Sequence, residues 1–170
     1  MPPRYLTPAE TALLFPIFRR ALDYAAIRIY PRRYLPLQNA RTAMSPNGCS
    51  FYPAALYCRD FAQAGRALRH LFVHECVHIW QQRLGFPVRL CGICLALQGG
   101  YVRNRAYAYR HLLAVRNDLA QFNMEQQAQM IADYFCPITD GAADTDLARV
   151  LRRFLHDPAD SSLLPQRICL

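Results

Sequence analysis

Two histidines four residues apart, with a glutamate directly after the first, carry the clearest chemistry in this chain: His74-Glu75-Cys76-Val77-His78. On a helix that spacing stacks both imidazoles on one face, one turn apart, where they can hold one zinc ion. Glu75 lies beside the pair, placed to take a proton from a water whose pKa zinc lowers to about 7. A catalytic zinc needs three protein ligands and an open fourth position. No third histidine follows closely, since His78 is succeeded by Ile79-Trp80-Gln81-Gln82 and the next histidine is His111. The missing ligand is then Glu125, the single glutamate downstream of the motif, or the rival His111. Glu125 shares a helical face with Ala128, Ala132 and Phe135, where a carboxylate needs a partner and a metal supplies one. The other reason for a glutamate there is a first-turn position favoured by the helix dipole.

Peptide hydrolysis would also need a donor for the developing oxyanion. Tyr107, Tyr109 and His111 lie between the two metal-bearing segments, and Tyr109 is taken as the candidate. Aromatic packing is the competing account of these tyrosines.

These residues must be positioned by helices. The stretch 61–84 holds no proline and only Gly65, and its apolar residues Leu68, Leu71, Phe72, Ile79 and Leu84 predict one long helix stopped by Gly85 and Pro87. Asn123 is a plausible cap for a second helix over 124–136, ended by Pro137. Thr7-Pro8-Ala9-Glu10 is a capping box with proline at the first helical position, predicting a helix to about residue 24 and giving Glu10 a structural role. Residues 27–30 alternate like a short strand, and 50–52 and 55–57 suggest two more around Pro53. Residues 88–97 read equally as a buried strand or a helix. An acidic turn at 140–146 precedes a last amphipathic helix at 146–156.

Composition bounds the fold. At 170 residues and 53% apolar, the chain has enough burial material for one domain and too little length for two. Twelve prolines break it into short elements. Every basic residue is arginine and the net charge is +8, which permits an acidic partner. The arginines are scattered in ones and twos without a nucleic-acid signature, so a solvated surface is expected and nucleic acid is not. No apolar run approaches the roughly 18 residues of a membrane span, and the short 12–18 stretch, interrupted by Pro16, lacks the layout of a signal peptide. Cytoplasmic synthesis is expected, with any export by another route. Seven cysteines leave at least one thiol unpaired. Cys49 and Cys58 flank the strand pair and could be cross-linked, and Cys91-Gly92-Ile93-Cys94 has the spacing of a redox pair or half a zinc knuckle, but buried thiols are the expectation.

The stretch HECVHIWQQ at 74–82, with NMEQQA at 123–128, resembles the zinc-metallopeptidase-like proteins found beside Rhs and VgrG components of type VI secretion systems. Those are similar in turn to the metallopeptidase-like core domain of extracellular contractile injection systems. LTPAE at 6–10, the residues 23–29 and AMSPNG at 43–48 fit the same order, so the resemblance covers about 5–137. Cys76 inside the motif and the Cys91/Cys94 pair depart from it. The resemblance implies a gluzincin-like site with His74, His78 and Glu125 on zinc and Glu75 as base, a bacterial source, and traffic with a secretion machine. The expected fold is α+β, a mainly helical zincin-like single domain over 1–156 with a small short-stranded sheet and a tail at 157–170. The expected function is a zinc metallopeptidase acting on a protein, a peptide or a peptidoglycan cross-link as a secretion-associated effector. The alternative is a non-catalytic zinc-binding adaptor held by a VgrG- or Rhs-type component.

Overall fold

The computed structural model describes residues 2–138 and 144–166. Helix α1 (Pro8–Phe18) opens with the expected capping box: the Thr7 hydroxyl accepts from the Glu10 amide and the Glu10 carboxylate accepts from the Thr7 amide. It stops at Phe18 rather than near 24, because Arg19 turns into the left-handed region at φ 48°. The Arg19 guanidinium donates to the carbonyls of Leu155 and His156, tying this corner to the far end of the chain.

Strands β1 (Ile29–Tyr30) and β2 (Ser50–Phe51) pair in parallel, with Ile29 opposite Ser50 and Tyr30 opposite Phe51. The strand expected at 55–57 is instead a turn in which the Leu56 and Tyr57 amides both donate to the Pro53 carbonyl.

The long helix expected over 61–84 divides at Gly65. Asp60 caps a single 3-10 turn, Phe61–Gln63, and the α-helix proper, α2 (Arg66–Arg83), starts after Gly65. Residues 88–97 resolve as a helix, α3 (Val88–Leu97). Asn123 caps α4 (Met124–Phe135) in a second capping box, with Gln126 answering. The expected last helix is two, α5 (Thr145–Val150) and α6 (Arg152–His156), with Asp144 as the first cap. Most of the acidic turn expected at 140–146 lies outside the described residues.

The main core forms where α2 packs on α4. Trp80 is fully buried, edge-on to Phe154 at 5.2 Å and tilted against Phe18. Residues 157–166, expected as a tail, pack on this same body: the Trp80 indole donates to the Pro158 carbonyl at 2.7 Å and Leu163 is buried. A smaller cluster joins Val88, Cys91 and Leu95 of α3 to Phe86, Ala106 and Met124. Cys49 and Cys58 are not cross-linked: both are free thiols. The protein is thus mainly helical, α+β, with one small parallel sheet.

Candidate metal centre

Two helices bring the site together. On α2, His74 and His78 stand one turn apart with ring centroids 5.0 Å apart and their planes nearly perpendicular. Glu125, the second residue of α4, reaches between them: its Oε2 lies 3.2 Å from the Nε2 of each histidine. All three side chains are buried, and their ligand atoms lie within 4.8 Å of one another. A tetrahedral ion with ligands at about 2.0–2.1 Å separates them by about 3.3–3.4 Å. The two imidazole–carboxylate separations of 3.2 Å match that spacing, and two imidazole nitrogens with one carboxylate oxygen have the donor chemistry for a zinc-like cation. The cluster can hold a metal.

Without a metal the three groups compensate one another. Burial works against the Glu125 charge, but the His78 and His74 imidazoles outweigh it and hold the carboxyl well below its usual range. Burial likewise opposes a charged His78, yet Glu125, then Glu75 and the Gln81 oxygen, push it up to about 9.

The ligands are oriented from behind. Gln81 Oε1 lies 2.9 Å from His78 Nδ1, which makes that nitrogen a donor and leaves Nε2, facing Glu125, as the nitrogen a metal would take. Gln81 in turn donates to the Met124 carbonyl and to Gln127 Oε1, and Gln127 donates to the carbonyls of Leu119 and Leu163. On the other carboxylate oxygen of Glu125, the Tyr101 hydroxyl donates at 2.8 Å.

Glu75 is only 4% exposed. Its Oε2 accepts a 2.6 Å bond from the Ser45 hydroxyl, itself 2.8 Å from that of Ser50. Burial raises the Glu75 carboxyl, against the lowering effect of His78, His74 and the Ser45 donor. A carboxylate moved toward neutrality is suited to exchanging a proton.

The structure does not bring every sequence candidate here. Tyr109 turns away: its hydroxyl donates to Asp133 Oδ2 at 2.6 Å, and Asp133 also meets His70 at 2.8 Å, one turn before His74. His111 is exposed and lies outside the metal cluster. Tyr107 does sit beside the site, its ring 5.8 Å from that of His74. Tyr101 had no signal in the sequence beyond its place after Gly99-Gly100. Gly99 takes φ +68°, and a Cβ on Gly100 would meet the Leu95 carbonyl at 2.8 Å, so this tight reversal can place Tyr101 against Glu125. Burial and the Glu125 charge both push the Tyr101 phenol up, so it remains a donor.

No protein-family model matches the chain. It is 30% identical over 155 residues to the type VI secretion system spike protein VgrG2b of Pseudomonas aeruginosa; the match takes in 89% of this chain and 15% of that much longer protein. The solved effector domain of Pseudomonas aeruginosa VgrG2b superposes with a TM-score of 0.70 at 29% identity, covering 89% of this chain and 81% of that one. Sequence and fold agree over the same share of the chain, which makes it a homologue of that effector domain.

Proposed function

We propose that this protein is a zinc-dependent peptidase working as a type VI secretion effector. The observation that carries the reading is the convergence of His74, His78 and Glu125 from two helices, with Glu75 buried beside them. Zinc bound there would polarise a peptide carbonyl and acidify water. Glu75 accepts the proton in that chemistry and passes it to the departing amine. Ser45 holds the Glu75 carboxylate in place, Tyr101 holds Glu125, and Tyr107, whose ring lies beside that of His74, is the candidate oxyanion donor. A metal kept only for structure would not require Glu75, so its retention favours an enzyme over an adaptor.

Homology to the effector domain of a spike protein supports delivery by a secretion machine and association with a VgrG-type component. No helix among the described residues is long and apolar enough to cross a membrane. The substrate class is a protein, a peptide or a peptidoglycan peptide.

The test is metal analysis joined to cleavage. Purified protein should hold about one zinc per chain, and Glu75→Gln should keep the zinc while cleavage of a susceptible substrate disappears. Undiminished cleavage by Glu75→Gln would remove Glu75 from the mechanism. Capture of a spike component that survives both Glu75→Gln and chelation would support the adaptor reading instead.

A further inference from the structure

Helix α3 is apolar on two opposite faces. At 100° per residue, Val88, Cys91 and Leu95 share one face, and all three are buried. Leu90, Ile93 and Leu97 share the other, at 66%, 57% and 83% exposed. The turn that follows adds exposed Tyr101 and Val102. A helix apolar all round is ordinarily covered all round. Nothing among the described residues covers the second face of α3.

The charge around the stripe indicates what does. Residues 76–117 contain no Asp and no Glu, yet carry Arg83, Arg89, Arg103, Arg105, Arg110 and Arg116. Arg110 is engaged by Asp144 and Asp133. Arg89, Arg103 and Arg105 are exposed and form no ion pair among the described residues. An aliphatic stripe with exposed arginines on its own helix and in the turn that follows it matches the boundary of an anionic bilayer, where side chains such as Leu and Ile enter the acyl region and guanidinium groups meet phosphates.

We propose that the exposed face of α3, with the 101–105 turn, docks on an anionic lipid surface. A second copy of the chain fits poorly, because two such faces would set arginines against arginines with no acid between them. Nucleic acid would satisfy the arginines but leave Leu90, Ile93 and Leu97 without an apolar partner. Tyr101 links the face to the metal centre through its bond to Glu125, so docking brings that centre to the bilayer surface. The docking itself requires no metal and no catalysis.

The test is co-sedimentation of the whole chain with vesicles of phosphatidylglycerol and phosphatidylethanolamine, against vesicles of phosphatidylcholine alone. Partition should be about tenfold stronger on the anionic vesicles and should fall as salt is raised. The double variant Leu90→Asp, Leu97→Asp should lose about tenfold or more, and so should Arg89→Gln combined with Arg103→Gln and Arg105→Gln. These positions are exposed, and the circular-dichroism spectrum and melting curve of each variant report that the fold is kept. Equal partition on the two vesicle types, no partition on either, or unchanged partition of the leucine variant would each overturn the proposal. So would a dimer in sedimentation equilibrium that the leucine variant dissolves while lipid binding is absent.

Discussion

Gln81 hydrogen-bonds His78 from behind, and its loss should be felt at the proposed metal. Gln81→Leu removes the acceptor for His78 Nδ1 and frees the ring to rotate, which should weaken zinc affinity about 10–100-fold in a competition titration against a chelator. Ser45 does the same service for Glu75. Ser45→Ala deletes a donor that lowers the Glu75 carboxyl, so its pKa rises further; on the proposed peptidase mechanism the acid limb of the cleavage profile should then move to higher pH, with zinc content unchanged. His78 gives a third handle. In the metal-free chain it is raised from 6.5 to about 9, so its contribution to stability is complete below about pH 6.5 and lost as pH rises through about 9. Metal and proton compete for the same nitrogen, so zinc affinity should climb over that interval. Melting curves at pH 6.5 and 9.5, with and without zinc, check both signs: the stripped protein should lose stability at the higher pH while the shift produced by zinc grows.

Among the elements, α4 matters most because its candidate ligand sits in its first turn. Glu125 directly follows Met124 after the Asn123 cap, and fraying of that turn moves the carboxylate. Asn123→Ala should cost about 1 kcal/mol in denaturant unfolding and loosen zinc as well, whereas the same loss at the Thr7 cap of α1 should leave zinc affinity unchanged. Caps of this kind are legible in sequence because they depend on residues three apart; Thr7 with Glu10 and Asn123 with the start of α4 were both readable. His74, His78 and Glu125 were readable for a related reason, since a helix converts fixed spacing into a shared face. The remainder depends on contacts distant in sequence. Periodicity could not assign α3, because both its faces are apolar. Gly65 interrupts a run that is otherwise helical in pattern. The parallel pairing of Ile29 with Ser50 is fixed by packing. Tyr101 reaches Glu125 only through the Gly99-Gly100 reversal, and Tyr109 is drawn off by Asp133, a partner that no local pattern connects to it.

At the scale of the whole molecule, a chain of buried amides joins the last described segment to the candidate metal centre. The Leu163 carbonyl accepts from Gln127, Gln127 Oε1 accepts from Gln81, and Gln81 Oε1 meets His78. Removing residues 157–170 would take away the acceptors of one N–H of Gln127 and of the Trp80 indole N–H, at about 0.5–1.5 kcal/mol each. It would also strip the apolar cover given by Leu163, worth about 1.5–3 kcal/mol. Against a total stability of about 5–15 kcal/mol, the shortened chain should melt far below the full one. Its zinc affinity should fall too, because Gln127 is then free to turn and no longer holds Gln81 against His78. Leu163→Ala separates the two effects. It removes the packed side chain, at about 2–5 kcal/mol, but keeps the backbone carbonyl that Gln127 uses. The substitution should therefore lower the melting temperature while zinc affinity, measured well below that temperature, stays near that of the parent chain. If Leu163→Ala and the truncation instead lose zinc in proportion to lost stability, the amide chain has no influence on the metal beyond holding the fold.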